Sequence, residues 1–117
     1  MFINLTNHLS EGWSEEQITA ARQYGEIIDL PFPIIEPTFT KDDILHLVKE
    51  YTDHIMEIKD RETVVHVMGE MTFTYAVVSR LKSLGIKCLA STTERNTVIT
   101  PDGKKISEFK FVQFREY

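Results

Sequence analysis

Three short clusters in this chain carry side chains suited to holding an anion or moving a proton. They are Thr6-Asn7-His8, Gly69-Glu70-Met71-Thr72 and Ser91-Thr92-Thr93-Glu94-Arg95. Histidine titrates near neutrality, so His8 can act as a general acid or donate to a phosphate. A loop histidine that bonds its own backbone fits that position equally well. Thr92, Thr93 and Arg95 form a compact donor set, and the planar guanidinium fork matches phosphate geometry. The competing reading of that set is a solvated loop leading into a hairpin. Glu70 has three readings: a base, an acceptor for a ribose hydroxyl, or an ion-pair partner of Arg95. Gly69, Met71 and Thr72 complete a turn whose backbone can approach a ligand.

These clusters follow short apolar runs, and that placement gives them meaning. Thr63–Met68 is β-branched and too short for a helix. The next run places Phe73, Val77, Leu81 and Leu84 on one helical face and ends at Gly85, where a left-handed cap belongs. Ile86–Ala90 is again short and apolar, as a strand covered on both faces should be. Strand, helix, strand in this order predicts a right-handed crossover and a parallel pair. Upstream, Met1–Leu5 and Glu26–Leu30 read as strands. Ser14, with Gln17 three residues on, starts one helix, and Thr40, with Asp43, starts another. The second helix carries a wide apolar stripe of Ile44, Leu47, Val48, Tyr51, Ile55 and Ile58.

Beyond Arg95 the pattern changes. Thr97–Thr100 and Lys105–Phe114 flank Pro101-Asp102-Gly103, a hairpin turn. The fold expected is α/β: one domain over residues 1–117, a small Rossmann-like doubly wound parallel sheet with a C-terminal antiparallel β-hairpin. In such sheets ligands sit beyond the carboxyl ends of the strands, where connections leave in opposite directions. With the first and third strands adjacent, Thr6-Asn7-His8 and Gly69–Thr72 line that crevice, and the fourth strand brings Thr92, Thr93 and Arg95 to the same edge. The helix after Gly69 has Tyr75 where a capping-box acid would stand, so its first N–H groups are expected to be free for an anion.

Composition narrows the classes. A formal charge of −5 argues against a protein that coats DNA or RNA, which needs a broad basic face. It leaves room for one anionic ligand held by local donors. The lone Cys88 falls in a buried strand, so no internal disulfide forms, and a reducing, cytoplasmic setting is expected. No apolar run reaches membrane-spanning length, and no DNA or membrane partner is expected. Neither the Walker nor the dinucleotide glycine spacing is present, nor a Ser-His-Asp signature. The histidines are scattered, so no metal and no cofactor is expected. His66 reads as a core residue, and His46 and His54 carry no role. Phe109 and Phe111 face one way along the last strand while Val112 and Phe114 face the other, which points to a homodimer.

The opening F-I-N-L-T-N-H-L-S, the central H-V-M-G-E-M-T-F-T-Y and the S-T-T-E-R segment together resemble small CRISPR-associated proteins of the Rossmann-like, cyclic-oligoadenylate-sensing (CARF-type) fold, some of which are ring nucleases. The resemblance implies a homodimer that binds cyclic oligoadenylate across its two-fold axis. It further implies metal-independent cleavage through in-line attack of a ribose 2′-hydroxyl on the adjacent phosphate. Thr6, Asn7, His8 and the Gly69–Thr72 turn would then cradle the ligand, and Arg95 would steady phosphate charge. A binding module that sequesters the nucleotide uncut, and a dimerising accessory protein without ligand, remain the alternatives.

Overall fold

The computed structural model describes residues 1–117. Its element order is β1 (Phe2–Thr6), a single 3-10 turn (Ser10–Gly12), α1 (Glu15–Arg22), β2 (Ile27–Asp29), α2 (Lys41–Ile58), β3 (Val64–Met68), α3 (Met71–Ser83), β4 (Lys87–Ile99) and β5 (Lys105–Glu116). The strands form one sheet in the order β2-β1-β3-β4-β5. The first four are parallel and β5 runs antiparallel to β4. The architecture is therefore α/β, with β1 beside β3 as the sequence predicts.

Period-two alternation sends the central strands into two cores. Ile3, Leu5, Val65, Val67 and Cys88 meet α2 and α3 through Ile44, Val48, Ile55, Phe73, Val77 and Leu81. Phe2, Val64 and Leu89 meet α1 on the other face, through Ala21 and with Trp13, Tyr24 and Phe114 around them. Helices thus cover both faces, as parallel crossovers require. The helix ends are locally encoded. Thr40 and Asp43 make a reciprocal capping box, and Ser14 accepts the Gln17 N–H at 3.2 Å. Gly85, at φ 80°, closes α3 while the Ile86 N–H bonds the Leu81 carbonyl, a Schellman ending.

Two expectations are corrected. Ser91–Arg95 is no loop: it lies inside β4, which runs on to Ile99 and forms a long ribbon with β5. β3 pairs with only Lys87–Leu89 of that strand, so most of the ribbon projects past the sheet body. The radius of gyration is 16.0 Å, against about 13 Å for a compact chain of this length. The second correction concerns the aromatic strand. A bulge opposite Thr92/Thr93 leaves Val112 unpaired and resets the alternation. Phe111 and Phe114 therefore share a face, with ring centroids 4.9 Å apart. The two-faced aromatic strand that pointed to a homodimer is one-faced.

Candidate functional site: a cleft at the carboxyl ends of the strands

β1 feeds α1 toward β2, and β3 feeds α3 toward β4 on the opposite side, so the connections part between β1 and β3. A cleft of about 1140 Å³ opens at this point. Thr6, His66, Met68 and Gly69 supply its floor. The 3-10 turn and the start of α1 supply one wall, with Trp13. The ribbon supplies the other, with Thr93, Phe109 and Phe111.

Beneath the cleft runs a polar ladder, buried at Asn4, Thr6 and His66 and exposed at Asp29. Asp29, Asn4 and His66 are in register across β2, β1 and β3. Asn4 Nδ2 donates to Asp29 Oδ1 at 2.8 Å and to the His8 carbonyl at 2.9 Å. Both partners are acceptors only, which fixes the amide with Oδ1 toward His66 Nδ1 at 3.1 Å. Thr6 Oγ1 lies 2.9 Å from the same Asn4 oxygen and accepts the His8 N–H at 3.1 Å. Trp13 Nε1 donates to the His8 carbonyl at 3.2 Å, so Asn4 and Trp13 together hold the His8 backbone. Burial raises the Asp29 carboxyl, but hydrogen bonds from Asn4 and from the Ser10 side chain and backbone outweigh it and hold its pKa below the usual value. Burial pushes the His66 imidazole down to about 4, so the ring is neutral at pH 7.

Of the three clusters singled out in the sequence, Thr6, Asn7, His8, Gly69, Ser91 and Thr93 line this cleft. Asn7 and His8 are exposed at its rim, whereas Thr6 is buried in the ladder. Gly69 has a packing reason as well, because a Cβ there would lie 2.4 Å from the Phe32 ring. Thr92 points to the opposite face of the ribbon, donating to the Gln113 carbonyl at 3.2 Å. Arg95 lies farther along the ribbon, with Nη2 3.1 Å from Ser107 Oγ. Met71 is 84% exposed and lines a second, apolar groove of about 510 Å³ with Tyr75, Val78 and Tyr117.

The expectation that α3 leaves its first N–H groups free is corrected by Glu70. Its carboxylate accepts from the Thr72 and Phe73 N–H groups at 3.0 and 2.8 Å, and from the Thr72 hydroxyl. The bonds from the Phe73 and Thr72 backbone, then the Thr72 hydroxyl, hold the Glu70 pKa below the usual carboxylate value. An anion at this helix start would have to displace a carboxylate already placed there. Glu70 is thus a cap, and makes no pair with Arg95.

His66 is a buried residue of β3, as the sequence predicts, but its hydrogen bond with Asn4 and its edge-on contact with Trp13 were not read from the sequence. The available signal was Asn4, Thr6 and His66 as polar interruptions in one phase of otherwise apolar strands. The charged residues lining the cleft are Glu11, Glu16 and Glu108 against Lys110, so the cleft offers no broad positive field. No group of three His, Cys, Asp or Glu side chains is arranged to hold a metal ion, and no helix is long and apolar enough to cross a membrane.

A family profile matches residues 1–115. The chain belongs to the uncharacterized protein MJ1673 family. No match was found among the curated proteins or among the solved structures.

Proposed function

We propose that this family member binds a nucleotide, cyclic oligoadenylate, in the strand-end cleft, as a Rossmann-like, ring-nuclease-like protein of CRISPR defence working in the cytoplasm. The observation that carries the reading is the cleft's make-up. Aromatic rings from both walls, Trp13 on one side and Phe109 and Phe111 on the other, flank donors at the parting of β1 and β3. Base–aromatic stacking contributes roughly 1–3 kcal/mol per base and needs no strong positive potential. That suits an acidic chain.

His8 is the exposed histidine of the cleft, and its backbone is held by Asn4 and Trp13. In the proposed reaction the ribose 2′-oxygen attacks the adjacent phosphorus and the bond to the 5′-oxygen breaks. His8 supplies the proton that the leaving 5′-oxygen takes up, and the 2′-hydroxyl proton passes to solvent. The product is a linear oligonucleotide with a 2′,3′-cyclic phosphate. Alignment of the 2′-oxygen, phosphorus and leaving oxygen supplies most of the acceleration. The functional unit proposed is a homodimer, with the strand-end clefts of two copies facing one ligand ring.

The test is incubation with cyclic tetra- and hexa-adenylate in EDTA, with separation of products and parallel sedimentation. Cleavage by the wild type and its loss in His8→Ala support the enzyme. Binding without turnover leaves the sequestering module, and absence of binding to either ring overturns the nucleotide reading.

A further inference from the structure

The ribbon has no neighbour along its outer edge. β5 is the last strand of the sheet, and from Lys105 to Lys110 every residue is exposed, Phe109 at 68%. Two strands with nothing packed on them are marginal in water, and three or more are the usual requirement. Which backbone groups that edge offers follows from the hairpin turn. The Thr100 N–H bonds the Lys104 carbonyl at 2.8 Å, so these two residues form a hydrogen-bonded pair. Bonded and non-bonded pairs alternate along an antiparallel ladder. Ser107, Phe109 and Phe111, opposite Thr97, Arg95 and Thr93, therefore fall at non-bonded positions and turn their N–H and C=O groups outward.

An open edge invites another strand, and lysine on such an edge commonly prevents it. Here the charges select one register instead. A two-fold axis through Phe109 sets that residue against Phe109 of the partner subunit, and Ser107 against Phe111 of the partner subunit. All of these turn their backbone groups outward, so the ladder closes in phase. The same register sets Glu108 directly opposite Lys110 of the partner subunit, and symmetry repeats the pair. An axis at Glu108 or at Lys110 would oppose like charges. An axis at Ser107 would set Lys110 against Lys104 of the partner subunit, and one at Phe111 runs into the bulge at Val112. The free edge of β4 offers no equivalent. Opposing Glu94 with Arg95 of the partner subunit joins an inward-turned residue to an outward-turned one, which breaks the ladder.

We propose that β5 pairs antiparallel with β5 of a second copy about a two-fold axis at Phe109, joining the two ribbons into one of four strands. The inference rests on the homodimer of the reading above, names its interface, and needs no ligand. Edge pairing about an axis perpendicular to the sheet keeps the same face of both ribbons on one side. Phe109 of the partner subunit then stands beside this chain's Phe109 at the wall of the cleft, so each copy extends the cleft of the other. Regular pairing ends at the Val112 bulge, which makes the contact short and the dimer dependent on concentration.

Sedimentation of the full chain without ligand, over a range of concentrations, measures self-association, and wild type should form a dimer. Lys110→Glu and Glu108→Lys each put like charges directly opposite, twice per dimer, and each should weaken association by about tenfold. Mixed together, the two variants should associate with one another, because every opposed pair then carries opposite charges. Ser107→Pro removes an outward N–H that the ribbon itself does not use. It should abolish the dimer and leave the far-ultraviolet circular dichroism of the monomer unchanged. A wild type that stays monomeric at every concentration overturns this inference and the homodimer with it. A dimer indifferent to both charge variants and to Ser107→Pro overturns this interface and leaves the homodimer standing. Mixing that fails to restore association also overturns the interface. Trp13, the one tryptophan in the chain, lines the cleft, so its fluorescence reads cyclic tetra-adenylate binding separately. A dimer that responds to the variants as expected but binds no cyclic tetra-adenylate upholds the interface and overturns the nucleotide reading.

Discussion

The sheet body and the ribbon are made from the same kind of strand and treat their residues in opposite ways. In β1 and β3 every residue except Met68 is buried, Asn4, Thr6 and His66 included. From Thr93 to Lys110 every residue except Thr100 is exposed. A two-stranded ribbon is marginal in water when nothing packs on it. This one is anchored at its root: Phe114 packs on Phe2 and Trp13, Tyr117 Oη donates to the Val67 carbonyl at 2.6 Å, and Lys87 meets Glu116 at 3.7 Å. The body therefore carries stability, and the ribbon presents Phe109 and Phe111 to the cleft.

Truncation should expose this division most sharply. Phe73 is fully buried, edge-on to Phe32 and Tyr51. Phe73→Ala should cost about 3–5 kcal/mol, enough to unfold a small domain partly. Ile106 is 47% exposed on the ribbon, and Ile106→Ala should stay within about 0.5 kcal/mol. Urea denaturation of the two variants reads both, and equal losses would erase the distinction.

The polar ladder makes the body sensitive to acid. The folded protein resists the proton that the unfolded chain accepts at His66, whose pKa falls from 6.5 to about 4. The unfolded state therefore binds more protons between those values, and stability rises with pH through that window. It should be complete above about pH 6.5 and fall by about 3 kcal/mol on acidification to about pH 4. Below that, the depressed carboxyls of Asp29 and Glu70 add a further loss, since their stabilisation disappears as they are protonated. His66→Phe should flatten the upper part of the curve alone, as followed by chemical denaturation across pH. Ile106→Ala removes no titratable group and should keep the wild-type slope.

How much of this was legible in the sequence also divides along that line. Elements whose signals are local came through: the capping pair Thr40 and Asp43, the Gly85 ending, the Pro101-Asp102-Gly103 turn and the neighbouring β1 and β3. The ribbon did not, because a β-bulge is a property of two strands together. Val112 alternates correctly in sequence until it faces Thr92/Thr93. The role of Glu70 was hidden for a similar reason. It stands at the N-cap, where Ser, Thr, Asp or Asn is usual, whereas the sequence places the cap at Thr72 with Tyr75 three residues on. Thr6, Asn7, His8 and Gly69 line the cleft as their strand-end position predicts. That His66 is a core residue was legible too, but its bond to Asn4 was not, since it depends on the two lying side by side in register.

Glu70 offers the next test, at intermediate size. Glu70→Ala leaves the Thr72 and Phe73 N–H groups without their acceptor and should cost about 1 kcal/mol, the usual loss for a helix cap. The loss should fade as pH drops through the depressed carboxyl pKa, because protonation weakens the same cap in the wild type. Thermal unfolding at neutral and acidic pH measures both parts. A neutral-pH midpoint like that of the wild type would mean water replaces the carboxylate without cost.

Arg95 gives the smallest effect on folding and the finest test of the ribbon's role. Its guanidinium bonds only Ser107, and both side chains are exposed, so Arg95→Ala should alter stability by less than about 0.5 kcal/mol. Under the proposed function its position still matters to the ligand. Arg95 shares the ribbon face of Thr93 and pairs with Phe109, both of which line the cleft, and in the proposed complex its charge acts on a phosphate through solvent. Such an interaction is screened within about 10 Å at 0.1 M salt. Arg95→Ala should therefore weaken binding of cyclic tetra-adenylate by less than tenfold at low salt, and the difference should vanish as salt rises. Trp13 fluorescence titrations at two ionic strengths make the comparison. A loss that survives high salt would mean that Arg95 touches the bound phosphate, and that the ribbon folds over its ligand. A loss of more than 1 kcal/mol in stability would instead place the ribbon among the parts that hold the body together.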